Sequence, residues 1–120
     1  MELITFFFKL SNTLKLYHWK TGSYARHVAS GSLFGEVIDK SDNFMETYFG
    51  RYGKSSVSST DCSADLLNDT DIVSFLKEAI MFLDDIVKNG FLKGNETDLL
   101  NLRDDIIAAI HKTLYLFTLK

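Results

Sequence analysis

Four side chains in this sequence have the types and spacing of metal ligands: His18 and His27, then Asp42 and Glu46. Two imidazoles with two carboxylates suit a first-row divalent metal, because neutral ring nitrogen and ionised oxygen both donate well to such ions. If residues 23–50 form one helix, His27 and Asp42 lie fifteen positions apart, roughly 22 Å along the axis at the helical rise. One ion cannot span that distance. Asp42 and Glu46 are four positions apart and share a helix face, so those two can hold an ion together. A second copy of the helix, antiparallel about a two-fold axis, would bring its Asp42 and Glu46 beside His18 and His27 of the first. The sequence thus predicts a homodimer through the second helix with two equivalent sites, each made of two imidazoles and two carboxylates.

Helices must position these groups, and the absence of proline leaves their commonest interrupter out of the chain. A first helix is predicted from Glu2 to Lys20, where Leu3, Phe7, Leu10, Leu14 and Tyr17 recur at the three-and-four spacing of a buried stripe. A second starts near Ser23, directs Phe34, Val37, Ile38, Ser41, Met45 and Tyr48 inward, and is stopped by Gly50 and Gly53. Residues 51–69 are Ser/Thr-rich and aperiodic, with a short turn expected around Ala64 to Leu67. A third helix is predicted from Thr70 to Lys88, closed by Asn89-Gly90, with Ile72, Phe75, Leu76, Ala79, Phe82, Leu83, Ile86 and Val87 facing a core. The fourth, from Glu96 to Leu119, buries Leu99, Leu102, Ile106, Ile110, Leu114 and Phe117. Short links within each pair and a long link between the pairs predict an all-α fold, a ferritin-like four-helix bundle with one long crossover between helices two and three. A plain up-down bundle is the alternative if the long link spans only a short gap. The midpoint of the expected helix-two pairing falls near Gly35, where backbones can approach closely. Such a contact would offset the cost of Gly31 and Gly35 inside a helix, about 1 kcal/mol each relative to alanine.

At 120 residues the chain is expected to be a single domain, residues 1–120, and its ten Phe to fill the interior well. A formal net charge of -3 and a pI near 5.5 provide no global positive field, so nucleic acid and anionic membranes are not expected partners. The lone Cys62 forms no intramolecular disulfide and favours a reducing compartment. The apolar run Leu3 to Phe8 lacks the length of a membrane span and the flanks of an export signal. A cytoplasmic place is therefore expected, and Asn68-Asp69-Thr70 and Asn95-Glu96-Thr97 are taken as helix entries rather than glycosylation acceptors. The chain has no CxxC, no GxGxxG, no P-loop, no nucleophile elbow and none of the Glu-x-x-His pairs of ordinary diiron bundles.

Tyr17-His18-Trp19, His27, Asp42 and Glu46 together resemble the ferroxidase-site signature of Dps, the mini-ferritins that oxidise iron at dimer interfaces and assemble into shells. The separations from His27 to Asp42 to Glu46 are those of the Dps motif, while the His18 to His27 link is three residues shorter. His111-Lys112-Thr113-Leu114-Tyr115 is similar to the Glu-Lys-x-x-Trp stretch that ends Dps chains. The chain also resembles short Dps-related chains of large DNA viruses and phages. The resemblance implies iron, or another divalent metal, bound by His18 and His27 of one subunit and Asp42 and Glu46 of the other. It also implies an indole, Trp19, beside the iron, oxidation of ferrous iron by oxygen or peroxide, and a larger shell. A viral setting would place the chain in the host cytoplasm or the virion. Two departures stand out: Gly31 replaces the Asp that follows the second His of the motif by four residues, and the Lys-rich tail that lets some Dps proteins bind DNA is missing.

Each ligand has a plainer reading. His18 and His27 can be helix-end imidazoles over apolar neighbours, and Asp42 and Glu46 a solvated face. His111 is expected in the core or an interface, Asp84-Asp85 and Asp104-Asp105 at solvated helix edges, and Asp39 as a neighbour of the metal ligands. The competing function is a non-catalytic viral or phage structural or interaction protein that retains the bundle.

Overall fold

The computed structural model describes residues 2–120. Four helices carry the chain: α1 (Glu2–Lys20), α2 (Tyr24–Tyr52), α3 (Asp71–Asp84) and α4 (Thr97–Leu116), with no strand among the described residues. None of these helices is long and apolar enough to cross a membrane. The stripe Leu3, Phe7, Leu10, Leu14 and Tyr17 of α1 is buried throughout. Among the hydroxyls that share this interior, those of Ser11 and Thr113 donate back to the carbonyls of Phe7 and Ala109 at 3.0 Å, Ser30 donates to the His27 carbonyl and Thr13 accepts the Asp65 N–H, which leaves none of them unpaired.

At 29 residues, α2 should measure about 43 Å at 1.5 Å per residue, and the molecule's longest dimension is 43 Å. Its first turn is capped by Ser23, whose side chain accepts the Arg26 N–H at 3.2 Å. Its end is closed at Gly53, with φ 84°, whose N–H donates to the Phe49 carbonyl at 2.8 Å. Gly50 lies inside the helix and stops nothing. The buried arc of α2 also differs from the periodicity: Ala29, Leu33, Val37, Phe44 and Met45 are enclosed, Phe34 and Tyr48 only partly, and Ile38 is 44% exposed. The cause is packing on two sides, since α2 meets both α1 and α4, so its inward direction bisects two neighbours and admits the small Ala29 and Ser30.

The α1–α2 pair is antiparallel, with Phe7 and Phe44 rings 5.6 Å apart near one end and His18 beside His27 at the other. Phe6 stacks on Phe82 at 4.1 Å, Tyr17 lies 5.8 Å from Phe117, and so α3 and α4 bring their C-terminal ends to opposite ends of the molecule. Between α2 and α3 the chain is extended and runs up along α1. The Asn12 carboxamide donates to the Cys62 carbonyl at 3.3 Å, the Asp65 N–H donates to Thr13 Oγ1 at 3.1 Å, and Lys9 pairs with Asp65 at 3.3 Å. The turn expected at Ala64 to Leu67 is absent, because polar groups here pair with α1 instead of with one another. Asn68 then caps α3, its side-chain oxygen accepting the N–H groups of Thr70 and Asp71 at 3.0 and 2.8 Å.

The third helix stops at Asp84, four residues short of the expected Lys88. Asp84 and Asp85 sit at its negatively polarised end, where carboxylates are unfavourable, and the chain tightens into turns through Gly90. Arg103 of α4 donates to the freed Leu83 carbonyl at 3.1 Å. Ile86 remains buried while Val87 is exposed. The fourth helix ends at Leu116, with Phe117 still buried beyond it.

Glu96 is fully buried at the entry to α4. Its carboxylate accepts the Tyr52 hydroxyl at 2.5 Å and the N–H groups of Lys93 and Gly94 at 2.8–3.0 Å, which ties the end of α2 to the α3–α4 connection. Burial pushes this carboxyl up, but the hydrogen bonds from Tyr52 and the backbone outweigh it and hold it at about 2. The folded value lies below the ordinary 4.5, so the carboxylate contributes stability above that pH and the contribution drains as pH falls from 4.5 toward 2. Urea titrations across this window should show the wild type losing stability on acidification. Glu96→Gln should be the weaker protein at neutral pH and should show a flatter dependence between those two values.

Candidate functional site

The last turn of α1 and the first turn of α2 are joined by Thr21-Gly22-Ser23, so side chains nine residues apart face each other across the link. His18 and His27 stack there with centroids 3.9 Å apart and ring planes 15° from parallel. Each Nδ1 meets the other residue's backbone carbonyl: His18 Nδ1 lies 2.6 Å from the His27 oxygen, and His27 Nδ1 lies 2.7 Å from the His18 oxygen. A carbonyl only accepts, so both Nδ1 atoms carry the proton, and in the neutral rings both Nε2 atoms hold a lone pair. Neither Nε2 has a hydrogen-bond partner among the described residues. This is the orientation in which protein imidazoles bind metals, one nitrogen fixed by a carbonyl and the other presented to the ion.

Gly31, one turn beyond His27, is the seat of the His18 ring. A Cβ at Gly31 would lie 2.7 Å from His18 Cε1 and 2.9 Å from Nδ1, so any side chain there evicts the imidazole. The glycine thus serves a contact within the chain. At Gly35, by contrast, nothing lies within 4 Å of an added Cβ, which leaves that step of α2 open to an approaching surface. Outward from the pair, Tyr24 continues the ladder of rings at 6.3 Å and 27° from His27. Trp19 is 66% exposed, with Lys15 Nζ 5.3 Å from its ring and 4.7 Å from that of Phe34.

Asp42 and Glu46 are exposed on α2 and form no ion pair or side-chain hydrogen bond among the described residues. Asp39 and Asp42 line a groove of about 410 Å³ between α1 and α2, floored by Phe7, Phe8, Ile38, Met45 and Phe49. The structure therefore brings His18 and His27 together and leaves Asp42 and Glu46 apart from them. Among the described residues no three His, Cys, Asp or Glu side chains converge on one point. His111 is exposed on α4 and has no place in the core. Asp84, Asp104 and Asp105 are exposed as expected, and Asp85 is half-buried.

A polar node beneath the pair was not legible from the sequence. The buried Tyr17 donates its hydroxyl to Asp69 Oδ1 at 2.7 Å, Thr21 donates to the same oxygen at 2.9 Å, and Arg26 Nη1 donates to the Asp69 carbonyl at 2.6 Å and to Tyr17 Oη at 3.2 Å. Burial pushes the Tyr17 hydroxyl up, while the Tyr17 hydrogen bond holds Asp69 down. The available signal was the spacing: Tyr17 and Arg26 are separated by the same nine positions as His18 and His27.

An all-helical chain with an imidazole pair clasping its first two helices is the class that fold and site define. Residues 18–117 match the family described as "Family of unknown function (DUF5856)", and the chain belongs to that family. It is also 31% identical, over 103 residues covering 86% of this chain and 75% of the relative, to the "Uncharacterized 14.6 kDa protein in mobD-ri intergenic region" of Enterobacteria phage T4. No solved structure matches.

Gly31→Ala should unseat His18, at a cost of about 1–3 kcal/mol for overpacking that exceeds the roughly 1 kcal/mol gained in helix propensity. In a His18→Ala background the clash is gone, and the same Gly31→Ala change should stabilise. A double-mutant cycle by urea unfolding checks the change of sign.

Proposed function

We propose that this chain is a Dps-like metal-binding protein: a ferritin-like four-helix bundle, with one long crossover between α2 and α3, that pairs antiparallel with a second copy through α2. Iron, or another divalent metal, would be held between His18 and His27 of one subunit and Asp42 and Glu46 of the other, with Trp19 at the edge of the site. The observation that carries the reading is the reciprocal clasp, which fixes both Nδ1 atoms on carbonyls and leaves both Nε2 lone pairs free. Open space at Gly35 and the unpaired Asp42 and Glu46 on the same helix support the pairing. The extended segment that climbs α1 before α3 begins supports the crossover.

Each Nε2 lone pair lies in its own ring plane, and rings this nearly parallel cannot both aim at one ion without splaying. The pair suits one ion per imidazole. Ferrous iron is the substrate in this reading: each ion gives up one electron to oxygen or peroxide, and the carboxylates stabilise the higher charge of the ferric product. The phage relative supports a setting in the host cytoplasm or the virion.

One observation favours a second reading, a non-catalytic phage structural or interaction protein that keeps the bundle. The His18 ring occupies the space at Gly31 where the Dps-like signature carries a carboxylate, so the imidazole pair is built as a clasp whether or not metal arrives.

The deciding measurement is the iron content of anaerobically loaded protein, by elemental analysis directly after sizing by light scattering. About one or two irons per subunit in a dimer, lost with the dimer intact in Asp42→Ala/Glu46→Ala, is the expected result. A folded dimer without bound metal would leave the structural reading, and a monomer would remove the intersubunit site.

A further inference from the structure

Extensive backbone packing joins α1 to α2, α2 to α4 and α3 to α4, but not α1 to α3. These two run antiparallel, since Phe6 stacks on Phe82 at one end and Tyr17 meets Asp69, just before α3, at the other. Side chains bridge the gap, and they bridge it unevenly. Phe75, Ala79 and Phe82 share one face of α3 by helical spacing. The alanine leaves a notch between two rings, and Phe6 and Leu10 of α1 form the other wall. The result is a groove of about 500 Å³, within the roughly 300–1,000 Å³ of sites that take small organic ligands.

The charged groups of this groove are unequal. Lys9 is paired with Asp65 at 3.3 Å. Glu2 and Glu78 also line the groove, are exposed, and have no ion pair or side-chain hydrogen bond among the described residues. Two carboxylates therefore stand free at the rim of an apolar, ring-lined floor.

Length decides the kind of occupant. The walls run from Glu2 to Leu10 on α1 and from Phe75 to Phe82 on α3, about 12 Å at the helical rise. Beyond Leu10 the extended segment lies on α1 through Asn12 and Thr13. Two turns make too short a seat for a partner protein, whose stable interface needs on the order of 1,000 Å² or more. No residue of α2 lines the groove, so it stays open in a dimer paired through α2, and it needs no metal.

We propose that the groove between α1 and α3 binds a small organic cation, an amine with an aromatic body that fills the Ala79 notch and an ammonium group drawn to the free carboxylates of the rim. The phenylalanine rings add to the attraction, because a cation lies favourably over a π-face. An anion of the same shape meets two unpaired carboxylates and is disfavoured, while a neutral body gains only its burial.

The probes are 4-phenylbutylamine, 4-phenylbutanol and 4-phenylbutyrate, which share one body and differ in the charge of the head. Each is titrated in EDTA into the full-length, isotope-labelled protein and followed by amide chemical shifts, which report both the place of binding and the affinity. The amine should move the amides around Phe6, Phe75 and Ala79, with a dissociation constant about three- to tenfold below that of the alcohol, and the butyrate should bind most weakly. Glu2→Gln/Glu78→Gln, two exposed changes that leave the floor intact, should bring the amine to the level of the alcohol and leave the alcohol unchanged. Equal binding of the three probes, or an amine preference that survives the double substitution, would overturn the proposal. Shifts centred on the other groove, around Ile38 and Met45, or no shifts at all, would overturn it as well.

Discussion

Tyr17 is buried to its last atom, and a buried phenol must find a partner for its hydroxyl. It finds Asp69, fifty-two residues away, and that single donation settles where three other elements lie. It brings the end of the extended segment to the end of α1. It draws Arg26 of α2 onto both the tyrosine oxygen and the Asp69 carbonyl. The guanidinium in turn rests on Phe117 beyond α4. None of these contacts joins two full charges, since Arg26 meets the backbone carbonyl of Asp69 and the Asp69 carboxylate accepts from the neutral hydroxyls of Tyr17 and Thr21, so the node holds by geometry and hydrogen bonding more than by Coulomb attraction.

How far the sequence foretold this varies by element. On α1 the apolar stripe was legible because a simple three-and-four spacing describes it, but the burial of Ser11 and Thr13 beside it was not, because the extended segment that packs on that flank has no periodicity to announce it. On α2 the inward line was displaced toward Leu33 and Phe44, because a helix packed on two sides has a wide buried arc that a single hydrophobic stripe does not define. The end of α3 depended on two carboxylates at its C-terminus, a local electrostatic penalty that periodicity does not weigh. Glu96 gave no sign in the sequence of being the most enclosed carboxylate, since its partners come from Tyr52 and from backbone N–H groups that only the fold assembles.

The candidate site was half legible. His18 and His27 flank a short link, and any antiparallel hairpin must bring such residues together. The role of Gly31 was hidden, because a missing side chain in a sequence looks like an absence, whereas in the structure it is the space an imidazole fills. Asp42 and Glu46 occupy the far half of α2 as helical geometry demanded. What converges within one chain is therefore an imidazole pair with fixed tautomers, and chemistry that needs carboxylates must recruit them from outside the chain.

The lengths of the loops these contacts close also set an order of assembly. The imidazole clasp spans nine residues, and the tyrosine contact spans fifty-two. By loop-closure entropy alone the longer contact costs about 1.5 kcal/mol more to form from the disordered chain. The first two helices can therefore nucleate as a hairpin from nearby contacts, while α3 docks only once the long strap has been ordered along α1. A nascent chain leaving the ribosome would hold its imidazole clasp, with the flanking lysines and aromatic rings, before its second half existed.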